Sequence, residues 1–427
     1  MRETSGSYKL GIEFVNWGRQ GSRYMHAFGR FGQDLWTVPF YQYWLKLHLA
    51  GKAPPLGDFA ITHRAAYLNR FMRAPSDVPN SPLNDITYAY HFDAGLYAAY
   101  LRRHAQGRGV VREEGRIDRV DADPATGHVR ALTLADERRI EGELFIDCTG
   151  FRARLIEQAL QSGGQGSTHC LPCDRATAVP CASAQPFTPY TRSTAHRAGW
   201  QWRIPLQHRT GNGHVFSSAH VSEDEATAVL LANLDGEPLA EPRTLRFRTG
   251  MRRQCWKGNV VAVGLSSGFL EPLESTSIHL IQTAIARLID FFPSRGFSDE
   301  DTDEYNRQAR FEYERIRDFI ILHYHLNERT DSPFWTACRE MPVPGTLQAK
   351  MRLFATHGRI VRENNELFSE VAWLQVMLGQ GLKPAGYHPL VDSLDEAEVA
   401  RYLQEVHALM GRCAEAMPDH AAFIAKH

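Results

Sequence analysis

The sequence predicts an α/β protein with a mostly helical C-terminal region, and three observations carry that reading. The run Val260-Val261-Ala262-Val263-Gly264 is unbroken apolar chain ending on a glycine, as expected of a parallel strand covered on both faces. Shortly after it, Ile278, Ile281, Ile285, Leu288 and Phe292 recur at helical spacing. Around residues 110–140 and 160–250, polar and apolar residues alternate between turn signals, which predicts antiparallel sheet.

Taken in order, residues 1–80 are rich in aromatics, Gly and Pro and show little periodicity of either kind. Leu96, Tyr97, Tyr100 and Leu101 place a helix over 93–103. Val110 to Ile140, with Asp123-Pro124 and Thr126-Gly127 as turns, reads as a small antiparallel meander. Leu144 to Gly150 is a short strand ending in a glycine turn. Trp200 to Ile204 alternates as a strand does, and Thr210-Gly211-Asn212-Gly213 is expected to be a hairpin loop. Beyond Asp299 the pattern is helical, broken near Pro333, Pro342, Pro344 and Pro384, with no internal repeat.

Among 427 residues, 48 Lys+Arg stand against 49 Asp+Glu, a formal charge of −1, with 43% apolar and 23% charged residues. This balance carries no footprint for nucleic acid or anionic lipid, so neither is an expected partner. No stretch reaches the ~18 apolar residues that cross a bilayer, and the polar start is not a signal peptide, so a cytoplasmic location is expected. Seven cysteines with one Cys170-Leu-Pro-Cys173 and no second pair read as reduced thiols rather than a metal site.

The strand–loop–helix at 260–292 is where a backbone could meet a ligand. Glu274-Ser275-Thr276-Ser277 stands at the helix entry, where Ser and Thr cap the first turn or leave its N–H groups for an anion. Capping is the commoner role. No G-x-G-x-x-G and no P-loop occurs, and Gly163-Gly164-Gln165-Gly166 lacks the spacing.

Gly199-Trp200-Gln201-Trp202-Arg203-Ile204-Pro205 resembles the G-W-x-W-x-I-P signature of flavin-dependent (tryptophan) halogenases; its residues alone say only that two indoles share one strand face. Four further segments agree in order: Ser7 to Trp17, Tyr90-His91-Phe92-Asp93-Ala94, Leu144 to Phe151, and Gly264-Leu265-Ser266-Ser267-Gly268-Phe269-Leu270-Glu271-Pro272-Leu273-Glu274-Ser275-Thr276. Arg329 to Trp335 fits as well. The resemblance implies a flavin-monooxygenase-like FAD-binding fold, incomplete at its N-terminus, in which FADH2, O2 and chloride or bromide give hypohalous acid. That acid is delivered to a separate aromatic substrate. By the same resemblance Lys9 and Glu274 are catalytic, Thr276 and Ser277 bind the halide, and Gly264, Leu265 and Ile278 touch the flavin. His26 and Phe28 wall the substrate, and Trp200 and Trp202 mark the tunnel. A separate flavin reductase supplies FADH2, and a homodimer is compatible with the family.

The resemblance divides the chain into a halogenase core over 1–297, lacking the first βαβ unit, and a helical substrate-pocket region over 298–427. Three departures matter. The family's G-x-G-x-x-G segment does not precede Lys9, so the chain reads as a fragment or a late start. Purified alone, it is expected to carry little FAD and to aggregate; a yellow, monodisperse protein with near-stoichiometric flavin would refute this. Ser277 stands where the tryptophan enzymes usually have Gly, which reopens halide preference. The region 359–375 is short and lacks the family's Tyr pair; its Phe368, Trp373 and Gln375 read as core, which favours indole or another electron-rich ring over free tryptophan. The competing readings are a non-catalytic, FAD-poor remnant and a flavin monooxygenase that hydroxylates an aromatic.

Overall fold

The computed structural model describes residues 1–75, 81–294 and 296–426. Met1–Arg102 contributes β1 (Ser7–Lys9), β2 (Gly11–Val15), β3 (Arg23–Ala27), α1 (Phe40–Leu49), α2 (Ile61–Tyr67), β4 (Ala89–His91) and most of α3 (Ala94–Gln106). The next segment, to Asp174, holds β5 (Ile117–Ala122), β6 (Val129–Leu134), β7 (Arg139–Glu141), β8 (Phe145–Asp147) and β9 (Gly164–Gly166). Then come β10 (Arg175–Cys181), β11 (Thr191–His196), β12 (Gly199–Pro205), β13 (Thr210–Phe216), α4 (Glu223–Ala232) and β14 (Arg243–Arg246). They are followed by β15 (Gly250–Arg252), β16 (Trp256–Lys257), β17 (Val260–Ala262), β18 (Gly268–Phe269), α5 (Ser277–Asp290) and α6 (Asp299–His325). The remainder is helical: α7 (Pro333–Glu340), α8 (Gly345–His357), α9 (Glu370–Gly379), α10 (Glu396–Ala416) and α11 (His420–Lys426).

Two compact units result, each assembled from separated segments. One takes Met1–Arg102, Arg175–Leu245 and Ile321–His427; the other takes Arg103–Asp174 and Arg246–Ile320. Neither unit has a boundary at residue 297. No helix among the described residues is long and apolar enough to cross a membrane.

The first unit is built on a seven-stranded sheet in the order β14-β10-β13-β12-β11-β2-β3, with β1 and β4 forming a separate antiparallel pair. Strands β2 and β11 run parallel, while β10 to β13 and the β2–β3 pair are antiparallel. The strands within residues 1–80 escaped the sequence because β2 is buried along its whole length, so polar and apolar residues do not alternate. Its Glu13 is tolerated inside by ion pairs to Arg192 at 2.7 Å and Arg23 at 3.3 Å. Gly11 is required there, since a Cβ would meet the His26 carbonyl oxygen at 2.6 Å.

Thr210 to Gly213 is not the expected hairpin loop but the first half of β13. The glycines make room rather than a turn. Gly213 pairs with Trp202, and a Cβ there would stand 2.1 Å from the indole. Trp200 enters a buried aromatic cluster, 6.2 Å from Trp17, which in turn lies 5.4 Å from Trp335 and 5.7 Å from Phe14. Such ring pairs contribute about 0.5–1.5 kcal/mol each beyond their area.

The second unit holds the predicted meander, β5-β6-β7, and two further three-stranded sheets, β16-β17-β8 and β18-β15-β9. As predicted, β17 is fully buried and runs parallel to β8. Its core joins Val260 and Ala262 to Phe145, Leu155 and Ile156. Among the described residues β8 has a strand neighbour on one side only, and its Ile146 is 51% exposed. Helix α5 forms where expected, but its apolar stripe is only partly covered. Leu288 is buried, whereas Ile285, Ile289 and Phe292 are exposed.

Candidate active site

The candidate residues fall into two groups, one in each unit. In the first unit β1 carries Lys9, whose side chain is taken out of water: the residue is 4% exposed. Its Nζ lies 5.7 Å from the centroid of the Phe28 ring, within cation–π range. Lys is almost never fully buried as a structural residue, so this placement is itself informative.

Strand β3 and the chain just beyond it set the wall beside that amine. The His26 and Phe28 rings meet edge to face at 5.9 Å, and Phe368 stands 6.1 Å from His26. The Phe28 N–H donates to the Leu10 carbonyl at 2.9 Å, which ties the wall to the residue following Lys9. Between the two rings, the Gln375 side chain grips the Ala27 backbone like a missing strand: its amide donates to the carbonyl at 2.9 Å, and its oxygen accepts from the N–H at 2.8 Å. Trp373 is core, as expected, with the Lys350 ammonium 5.1 Å from its ring. Phe368 is buried as well, yet it belongs to the wall, and no spacing in the sequence distinguishes the two.

Trp200 and Trp202 stand on β12 with ring centroids 6.1 Å apart. Trp200 is part of the packed aromatic core, while Trp202 is half-buried above Gly213.

In the second unit β17 delivers the chain through Val263 to Gly264, whose φ of 71° is the left-handed turn that glycine makes freely. The turn is pinned to the preceding parallel strand: the Val263 N–H donates to the Asp147 carbonyl at 3.0 Å, and the Ser266 hydroxyl donates to the same oxygen. Asp147 is a scaffold residue. One carboxylate oxygen accepts from the Leu155 and Ile156 N–H groups, both at 2.9 Å, and the other from Thr149 N–H and hydroxyl.

Glu274 follows on a short 3₁₀ turn and is 7% exposed. Ser275 next to it adopts a left-handed φ of 59°, a strained conformation for a residue with a Cβ. Thr276 occupies the N-cap of α5, but its side chain makes no capping bond. Its buried hydroxyl has no hydrogen-bond partner among the described residues. The commoner reading of this position as a cap therefore does not hold. The first N–H groups of α5, at the positive end of the helix dipole, thus receive no oxygen from the Thr276 side chain. Leu265 and Ile278, each 39% exposed, flank this entry with apolar surface.

Gly264, Leu265 and Ser277 line one cavity of about 260 Å³, together with Cys255, Ile281, Arg287, Glu312 and Tyr313. Its inner wall was not foreseen. Burial works against the charge of Glu312, yet hydrogen bonds from His279 and Arg287 hold its carboxyl below the usual range. The contacts are 3.0 Å from His279, 3.0 Å from Thr283 and 2.7 Å from Arg287. His279, Thr283 and Arg287 recur every four residues on α5, a spacing that could have been noticed. Burial pushes the Cys255 thiol up to about 11, so it is an inert wall residue. No group of three or more metal-ligating side chains occurs among the described residues.

A family model described as tryptophan halogenase matches residues 1–396. Tryptophan 7-halogenase RebH from Lentzea aerocolonigenes is 31% identical over 430 residues, covering 93% of this chain and 80% of its own. Tryptophan 7-halogenase KtzQ from Kutzneria sp. is 34% identical over 373 residues, covering 83% and 69%. Among solved structures, BrvH, a flavin-dependent halogenase from Brevundimonas sp. BAL3, superposes with a TM-score of 0.97 at 48% identity, covering 100% of this chain and 87% of its own. Xcc4156, a flavin-dependent halogenase from Xanthomonas campestris, gives 0.96 at 46%, covering 100% and 85%. The chain belongs to the tryptophan halogenase family of flavin-dependent aromatic halogenases.

Proposed function

We propose that this protein halogenates an electron-rich, indole-type ring with chloride or bromide, using Lys9 and Glu274 as its catalytic pair. The observation that carries the reading is the amine of Lys9, buried against the Phe28 ring beside His26 and Phe368.

The residues at the α5 entry fit the ring end of a flavin: a left-handed glycine turn, two half-exposed apolar side chains and a helix start that the Thr276 side chain does not cap. No residue of the chain is assigned to a pyrophosphate. When bound, FADH2 supplies the electrons by which O2 and halide become hypohalous acid, and a separate flavin reductase is its expected source. The backbone N–H groups of Thr276 and Ser277 would hold the halide at the positive end of α5. The Lys9 ammonium donates to the oxygen of the hypohalous acid and polarises its bond to the halogen; its neutral amine could instead hold the halogen as a haloamine. In the direct route the C–X bond forms as the O–X bond breaks, and the departing hydroxide takes a proton from Lys9 and leaves as water. Glu274 steadies the cationic ring and accepts its proton.

The wall supports a bare ring rather than an amino acid. Its three aromatic residues offer shape, and the buried charges on the neighbouring segment, Lys350 and Glu366, are spent on each other at 2.9 Å. The buried amine also favours this reading over a hydroxylating monooxygenase or a non-catalytic remnant, neither of which calls for it. The test is mass spectrometry of an indole, phenol and tryptophan panel with FAD, a reductase and either halide. A chlorine or bromine isotope pattern on indole is expected. A gain of one oxygen, or no product while flavin is oxidised, would overturn the proposal.

A further inference from the structure

His91 is a titratable group that the mechanism above does not use, and it is buried in the strand pair that carries Lys9. In the β1–β4 register Ser7 faces His91 and Lys9 faces Ala89, so Ser7 and Lys9 project to the same face of β1. Both ring nitrogens of His91 are engaged: Nδ1 lies 3.1 Å from the Ser7 hydroxyl and Nε2 lies 2.9 Å from the Thr191 hydroxyl. The Ser7 hydroxyl gives its single proton to the Pro205 carbonyl at 2.8 Å. Nδ1 must therefore be the nitrogen that donates to Ser7, and in the neutral ring Nε2 accepts from Thr191.

The chain of bonds runs from Thr191 on β11, through the imidazole and Ser7, to Pro205 at the end of β12. It is closed at every link. The groups that face the imidazole electrostatically are Lys9, Arg203 and His420, with no carboxylate among them. Full burial, with the charges of Lys9 and Arg203 beside it, holds the imidazole well below its ordinary range, so it stays uncharged at neutral pH; burial lowers His420 as well.

We infer that His91 is a positioning residue for Lys9: as a neutral imidazole tied to Ser7 and Thr191, it fixes β1 against β11 and β12 while keeping a second positive charge away from the amine. The inference rests on the reading of Lys9 as the residue that handles the halogen. Any cation at position 91 would oppose the Lys9 ammonium, whereas a neutral donor would serve.

The test uses the full chain with FAD, a reductase, bromide and indole, and separately the rate at which trinitrobenzenesulfonate labels Lys9, read by peptide mass spectrometry. His91→Leu is expected to lower kcat by about 10- to 100-fold with KM for indole within threefold, and to raise Lys9 labelling at least fivefold. His91→Asn, which restores a neutral donor near Nδ1, should recover most of both effects, a rescue that a purely structural role does not require. Should His91→Leu fail to fold, Ser7→Ala and Thr191→Val each remove one tie and should move both readouts three- to tenfold the same way. Folded variants with unchanged kcat and unchanged labelling overturn the inference. Labelling does not depend on turnover, so full activity in Lys9→Ala would sink the functional reading and leave the His91–Lys9 coupling to be judged on labelling alone.

Discussion

The two groups of site residues are built on opposite plans. Around Lys9 the hydrogen bonds close on protein partners: His91 on Ser7 and Thr191, Gln375 on both polar groups of Ala27, and Phe28 on Leu10. Around the α5 entry the protein leaves groups open: an N-cap whose side chain makes no capping bond, a Thr276 hydroxyl with no partner among the described residues, and half-exposed Leu265 and Ile278. A region that satisfies itself is suited to hold one side chain still. A region with unspent donors and apolar surface is suited to receive something.

Removing the catalytic group of either region should have the largest effect. Lys9→Ala is expected to reduce halogenation to background while flavin oxidation continues, measured by product mass spectrometry alongside oxygen uptake. Glu274→Gln should slow turnover by about 10²-fold, the usual range for a general base. Combined with Lys9→Ala it should add little, because two residues that serve one step are not additive. Independent, multiplicative losses in single-turnover experiments would show that the two act on different steps.

The open region can be sharpened with smaller changes. Ser277→Gly should alter the apparent KM for halide several-fold and shift the bromide-to-chloride product ratio, with indole KM unmoved. Thr276→Val removes a buried hydroxyl with no partner among the described residues, so the free energy of unfolding should shift by no more than about 1 kcal/mol, on the favourable side. Clear destabilisation would mean that the hydroxyl is engaged.

Elsewhere in the first unit, His214 on β13 predicts an acid sensitivity. Burial lowers His214 to about 4, its Nδ1 donates to the Ala226 carbonyl at 2.9 Å, and its Nε2 is buried without a partner among the described residues. The folded state therefore takes up this proton later than the unfolded chain. The stability it confers is complete above about pH 6.5 and is lost as pH falls toward 4, by up to about 3 kcal/mol. His214→Asn should flatten that part of the pH–melting curve.

Sequence reading recovered what depends on local period. The buried strand at 260–262, the meander at 117–141, helix α5 and the helical C-terminal region all lie where pattern put them. It missed the strands before residue 30 because a strand buried on both faces leaves no alternation, and it took Gly211 and Gly213 for a turn when they make space for Trp202. At the site, Lys9, His26 and Phe28 were named by motif, yet the motif could not reveal that Lys9 is buried or that Phe368 completes the wall. The second depends on a contact between residues hundreds of positions apart, and the first on strand pairing and ring contacts that no local pattern encodes. The ring of α5 side chains around Glu312 was readable in principle, since 279, 283 and 287 share a helix face, but its partner lies on another helix.

The left-handed kink at Ser275 bears on how this protein tolerates redesign. A serine held at φ 59° between Glu274 and Thr276 stores a small conformational penalty that glycine would release. A screen for thermostability would be drawn to Ser275→Gly at once. The same change would hand the hinge between a carboxylate and a helix end the freedom to wander, so hardier protein and slower catalyst should emerge from one substitution.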